Sequence, residues 1–149
     1  MAESAPPFDQ SGVKIEPHEV DDRSLRVMRH FWYLASPYSK YARGIEAAAG
    51  DVAIVAGKLA KMGVKFFSPI CHTHIIAMAG GIDPLAHDFW MTFDKPMIAK
   101  CDGLMVVMMH GWEESIGVKM EIADFRSTER PVCYIDPYSA GWLTSREAA

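Results

Sequence analysis

Apolar residues along this chain fall into two patterns, short unbroken runs and stripes at helical spacing. The runs His30-Phe31-Trp32-Tyr33-Leu34-Ala35, Val64 to Phe67, Leu104 to Met109 and Val132-Cys133-Tyr134-Ile135 are each bounded by turn residues. That is the pattern of strands buried on both faces. Between the first two runs, Ile45, Ala48, Val52, Val55, Ala56, Leu59 and Met62 form one stripe within Arg43 to Met62, with Gly63 placed as the C-terminal cap. Between the last two, a helix opening at Ser115 turns Ile116, Met120, Ala123 and Phe125 toward a core until Arg130-Pro131 stops it. Strand, helix, strand, twice over, predicts right-handed βαβ units around a parallel sheet.

The remaining stretches are less regular. Ile70 to Gly81 contains His72 and His74, ends in Gly80-Gly81, and predicts a strand-end loop with a short helical piece. Asp83 as cap and Pro84 at the first position open a helix over about 84–91, and a second segment runs from Asp94, itself a capping residue, to Lys100. Pro137 to Ala149 predicts a turn and a short helix capped by Thr144 or Ser145. Residues 1–27, with Pro6-Pro7, Gly12, Pro17 and several acids, form an N-terminal extension, and 28–149 form a single domain without internal repeats.

Composition narrows the function. A chain of 149 residues, half of them apolar and 23% charged, has a globular composition and suits one domain. A net charge of −4 argues against long nucleic acid as a partner, and leaves room for a small anion held by backbone N–H groups. No apolar run is long enough to span a bilayer, and the N-terminus lacks a basic region followed by an apolar one, so no membrane partner is expected. Cys71, Cys101 and Cys133 are odd in number and widely spaced, as buried thiols of a cytoplasmic protein would be. No Gly-x-Gly-x-x-Gly follows the first strand, and P-loop, Gly-x-Ser-x-Gly, Cys-x-x-Cys and His-Glu-x-x-His patterns are absent.

In open parallel sheets ligands bind outside the carboxyl ends of the strands. That puts the expected chemistry in 110–121 and in the turns after the first two strands. Glu121 lies within two turns of the helix start, where a carboxylate facing the crevice acts as nucleophile or base; a solvated surface glutamate is the alternative. Ser115 and Gly117 stand where free N–H groups favour a phosphate, although Ser115 also suits a simple cap. Ser36, Pro37, Tyr38 and Arg43 bracket the first strand end. Tyr38 is placed to orient a carboxylate or cover a ring, and Arg43 to meet a phosphate, with core packing or a surface ion pair as the ordinary explanations. His72 and His74, at i and i+2, suit phosphate contact or proton transfer, but no third ligand at metal spacing accompanies them. His110, Gly111 and Trp112 follow the third strand directly, whereas Asp102 at its amino end is expected opposite the ligand.

Four marks in order carry a family resemblance: Tyr33-Leu34-Ala35-Ser36-Pro37-Tyr38, then Asp94 eight residues before Asp102-Gly103, then Ser115-x-Gly117-x-x-x-Glu121, then Arg130-Pro131-Val132. Over about Phe31 to Ile135 the chain resembles the nucleoside 2-deoxyribosyltransferase-like superfamily, which includes the 2'-deoxynucleoside 5'-monophosphate N-glycosidases. The resemblance implies a flavodoxin-like (Rossmann-like) α/β three-layer sandwich with a mostly parallel sheet of four to five strands. It also implies a homodimer or larger assembly and no cofactor or metal. Glu121 resembles the glutamate that attacks the anomeric carbon, Asp94 the aspartate that contacts or protonates the leaving base, and Tyr38 the first-loop tyrosine near the glutamate. Ser115 and Gly117 match a phosphate-holding helix start. The implied activity is N-glycosidic cleavage or base transfer on a nucleoside or its 5'-monophosphate, with a non-catalytic nucleotide-sensing module as the alternative. Two departures stand out: Ser36 replaces a more usual glycine, and Glu113 and Glu114 lie beside the phosphate-holding segment.

Overall fold

A computed structural model describes residues 27–138 and 142–144. In chain order the elements are β1 (Phe31–Ala35), α1 (Ile45–Lys61), β2 (Lys65–Phe67), α2 (Pro69–Gly80), α3 (His87–Lys100), β3 (Gly103–Val107), α4 (Ile116–Ser127), β4 (Val132–Ile135) and β5 (Trp142–Thr144). The sheet order is β2-β1-β3-β4-β5. The first four strands are parallel and β5 pairs antiparallel to β4, with Tyr134 opposite Leu143. This is the expected Rossmann-like α/β architecture.

Alternation along each strand divides the core. Trp32 and Leu34 of β1 and Met105 and Val107 of β3 pack with Val52, Val55 and Leu59 of α1 on one face. Tyr33, Ala35, Leu104 and Val106 pack with Ile98 of α3 and Val118 and Phe125 of α4 on the other. Helices thus cover both faces of the sheet, and the last four residues of β3, Leu104 to Val107, are fully buried. At the amino edge, Phe31 N–H donates to Asp102 Oδ2 at 2.7 Å and Asp102 N–H donates to the Phe31 carbonyl at 2.7 Å. Asp102 therefore ties β1 to β3 at the amino edge of the sheet, as expected. Gly63 follows α1 at φ 83°, a left-handed position that glycine adopts without strain.

Several elements differ from the sequence expectation. Pro69 to Gly80 is a full helix rather than a loop with a short helical piece. Ser68 caps it by accepting from Cys71 N–H at 3.3 Å, Pro69 takes the first position and Gly81 ends it. The signals at both ends were present, but exposed Ile75 and Met78 blur the apolar stripe between them. The segments of about 84–91 and 94–100 are one helix starting at His87; Asp83 instead makes a turn, accepting from Leu85 N–H at 2.9 Å. Pro96 sits inside this helix, facing outward beside exposed Thr92, so the carbonyl it leaves without a donor is open to water. Asp94 is consequently a buried mid-helix residue and not a cap. In α4 the inward stripe is Val118, Ile122 and Phe125, whereas Ile116, Met120 and Ala123 are exposed. Residues from 142 extend β4's edge as a strand rather than forming the predicted helix, so Thr144 belongs to β5. Ser145 and the extension 1–26 lie outside the described residues.

Candidate active site

The chain passes from β1 to β2 on one side and then crosses to β3 on the other. This switch point opens a crevice at the carboxyl end of a parallel sheet. A cavity of about 310 Å³ lies there, walled by the β1–α1 turn, the start of α2, and one face each of α3 and α4. From α3 come His87, Trp90, Met91 and Asp94, whose i, i+3, i+4, i+7 spacing is a single helical face. From α4 come Ser115, Gly117, Val118 and Glu121. Because Val118 and Phe125 hold α4 to the sheet, Glu121, between them on the same face, is carried inward.

The two carboxyls are the chemical centre. Burial pushes Glu121 up to about 8, the charge of Asp94 adds to that rise, and a hydrogen bond from the Tyr33 hydroxyl opposes it. Burial alone pushes Asp94 up to about 6. Tyr33, fully buried on β1, has its phenol raised far above the ordinary range, first by burial and then by the charges of Glu121 and Asp94. It keeps its proton and donates it to Glu121. The pair therefore titrates as a unit that retains one proton through neutral pH. Such a pair supplies one carboxylate and one acid, the two groups needed for covalent acid–base chemistry.

Ser36 Oγ and Asp94 Oδ1, on two residues that wall this cavity, are themselves buried and have no protein partner. Their residues are only 7% and 6% exposed. A buried polar atom left unpaired costs about 1–3 kcal/mol, so both fit atoms reserved for a ligand. Ser115 accepts from Val118 N–H at 3.4 Å as the cap of α4, which commits one lone pair of its hydroxyl. At Gly117 a side chain would meet nothing within 4 Å, so the helix start is open to the cavity.

Six of the residues singled out in the sequence thus converge: Ser36, Tyr38, Asp94, Ser115, Gly117 and Glu121. The others do not line this cavity. Pro37 is buried at the strand end. Arg43 pairs with Asp51 at 3.1 Å and shares with His110 a separate cavity of about 500 Å³ near α1. Gly111 turns the chain at φ 84°, and Trp112 lies against the Tyr134 ring at 5.4 Å, over β4. The loop after β3 folds outward over β4, because Met108 N–H donates to the Ile135 carbonyl at 3.0 Å. This also carries Glu113 and Glu114 to exposed positions away from the cavity. His72 stacks on Phe93 at 5.9 Å, and His74 meets the Tyr38 hydroxyl from behind.

The tyrosine whose hydroxyl donates to Glu121 is Tyr33, on the strand, while Tyr38 walls the same cavity from the first loop. Sequence reasoning missed Tyr33, although a tyrosine alternating with core residues in a strand buried on both faces needs a partner for its hydroxyl. Among the described residues, no three His, Cys, Asp or Glu side chains gather as a metal site, and no helix is long and apolar enough to cross a membrane.

A family model described as Domain of unknown function (DUF1937) matches residues 30–136. The chain belongs to this family. No curated protein matches the chain. The DUF1937 match runs from β1 to β4 and contains every residue that walls the cavity.

Proposed function

We propose that this DUF1937 protein cleaves the N-glycosidic bond of a nucleoside or nucleoside 5'-monophosphate, as its resemblance to the nucleoside 2-deoxyribosyltransferase-like superfamily suggests. The observation that carries the reading is the pair of raised carboxyls, Glu121 and Asp94, in one crevice with the Tyr33 hydroxyl on Glu121. A Glu121 carboxylate oxygen bonds to C1' as the C1'–N bond breaks. The pair holds its single proton mainly on Glu121, the more strongly raised of the two, so the reacting form is the tautomer that carries this proton on Asp94. The electron pair passes to the base, which takes that proton. Water then attacks C1', gives its proton to Asp94 and frees Glu121 as carboxylate; a second base in place of water makes the reaction a transfer. This is the double displacement of a carboxylate nucleophile. Tyr33 favours the ionised form of Glu121 by donating to it. The open start of α4 at Ser115 and Gly117 suits a 5'-phosphate when one is present.

The same reading takes the protein as a cytoplasmic homodimer or larger assembly. Its three cysteines are free thiols. Leu85 and Ile116 at the cavity wall, with Phe89 on α3 and Met120 on α4, are exposed apolar side chains suited to an interface.

Base release from ribo- and deoxyribonucleosides and their 5'-monophosphates, separated by chromatography with and without an acceptor base, tests the activity. Glu121→Gln is expected to lower turnover by roughly 10³-fold or more, and Asp94→Asn by about 10²-fold, with ligand binding retained. Full activity in Glu121→Gln would end the assignment. Tight binding without release by the wild type would replace it with a nucleotide-sensing module.

A further inference from the structure

We infer that His74 is a positioning residue that fixes the Tyr38 hydroxyl as a hydrogen-bond acceptor toward the cavity. Tyr38 walls the cavity from the β1–α1 turn, and its hydroxyl lies 2.6 Å from His74 Nδ1 on α2, with the rings edge-to-face at 5.8 Å. Burial, and to a lesser degree the charge of Glu46, raises the Tyr38 phenol, so its oxygen keeps the proton at neutral pH. The 2.6 Å contact is made either by the phenol proton or by a proton on Nδ1; we take the first, with Nδ1 as acceptor and the imidazole proton on Nε2. With its O–H committed to His74, Tyr38 offers only oxygen lone pairs to a ligand. The ligand group that meets Tyr38 is therefore a donor, a sugar hydroxyl or an exocyclic amine. A phosphate oxygen, which only accepts, does not match that wall.

The neighbours fit this division of labour. Thr73, which does wall the cavity beside His74, spends its hydroxyl on the Pro69 carbonyl at 2.7 Å. Farther along the turn, Tyr41 donates to Asp51 at 2.6 Å, which anchors the segment to α1 instead. The contact with His74 is thus the side-chain tie that joins this turn to α2 at the cavity.

The kinetic part of the inference rests on the glycosidic reading, whereas the geometric part does not, so the experiment has two arms. In the first, the ring nitrogens of His74 are read by ¹⁵N NMR in the full chain. The Nε2–H tautomer with Nδ1 as acceptor is expected, and Tyr38→Phe should disturb it. In the second, nucleoside turnover is measured for Tyr38→Phe, His74→Leu, His74→Asn and the Tyr38→Phe/His74→Leu double variant. Tyr38→Phe and His74→Leu should each raise KM about 10-fold with kcat within about 3-fold of wild type, and the double variant should be no worse than either. Asn, whose amide can accept at the place of Nδ1, should restore KM to within about 3-fold. An Nδ1–H tautomer, unchanged KM in His74→Leu, or losses that add in the double variant would each overturn the inference. A wild type that releases no base from any substrate defeats the glycosidic reading alone, and the tautomer with its response to Tyr38→Phe still decides the role of His74.

Discussion

Glu121 and Asp94 show how one functional group, the carboxyl, takes two roles when its surroundings differ. Both are raised by burial, but only Glu121 receives a hydrogen bond, from Tyr33. With limits at about 6 and about 8, the singly protonated pair dominates between them. Below that window both carboxyls are protonated and no nucleophile remains; above it both are ionised and no acid remains. We therefore expect kcat/KM to follow a bell with limbs near these two values. Tyr33→Phe removes the donor that favours ionised Glu121, so the alkaline limb should move to higher pH and the rate at pH 7 fall about tenfold. A flat profile from pH 5 to 9 would mean that these carboxyls do not carry the chemistry. Glu121 was legible from its spacing after Ser115, whereas Asp94 read as a helix cap and gained a role only through the family resemblance. Tyr33 was not singled out, because a tyrosine inside an apolar run looks like core until its hydroxyl's partner is known.

At the scale of elements, strands and the first helix were easier to read than the helices around the site. The runs of β1 and β3 and the stripe of α1 reflect full burial on both faces or on one. The helices that wall the cavity must serve a core and a crevice together, so their periodicity is mixed. In α4 the carboxylate of Glu121 occupies the inward face while Ile116 and Met120 remain outside, the reverse of what hydrophobicity dictates. Gly103 illustrates an element fixed by close approach instead of pattern. A Cβ there would lie 2.5 Å from Trp32 Cζ3 and 2.9 Å from the Pro131 carbonyl oxygen. The Trp32 ring is itself held, because its Nε1–H donates to the Val27 carbonyl at 2.8 Å. Gly103→Ala should thus destabilise the protein by about 1–3 kcal/mol through overpacking. A thermal melt would detect it as a fall of several degrees, and an unchanged Tm would show that β3 and β4 can separate freely.

For the molecule as a whole, the order β2-β1-β3-β4-β5 places the switch point, and with it the crevice, between elements distant in the chain. The general position of the site could therefore be read from topology. The exclusion of His110 and Trp112 could not, since it depends on which way the loop after β3 folds, nor could that of Arg43, which pairs with Asp51 on α1. Keeping Glu121 enclosed also has a global consequence. Its ordinary value of 4.5 is raised to about 8 in the folded chain, so between those values the folded state binds more protons than the unfolded one. Stability is then fully present below the unfolded value and is lost as pH rises through the window toward about 8. Asp94, raised from 3.8 to about 6, acts in the same direction over a narrower span. Glu121→Gln removes the larger of these losses. At about 1.4 kcal/mol for each pKa unit displaced, the variant should exceed wild type by about 2 kcal/mol or more at pH 8.5, roughly 5 °C in Tm. At pH 4 the two should melt together. Paired melting curves from pH 4 to 8.5 measure the difference directly, and a constant gap across that range would mean that Glu121 ionises as freely in the fold as in water.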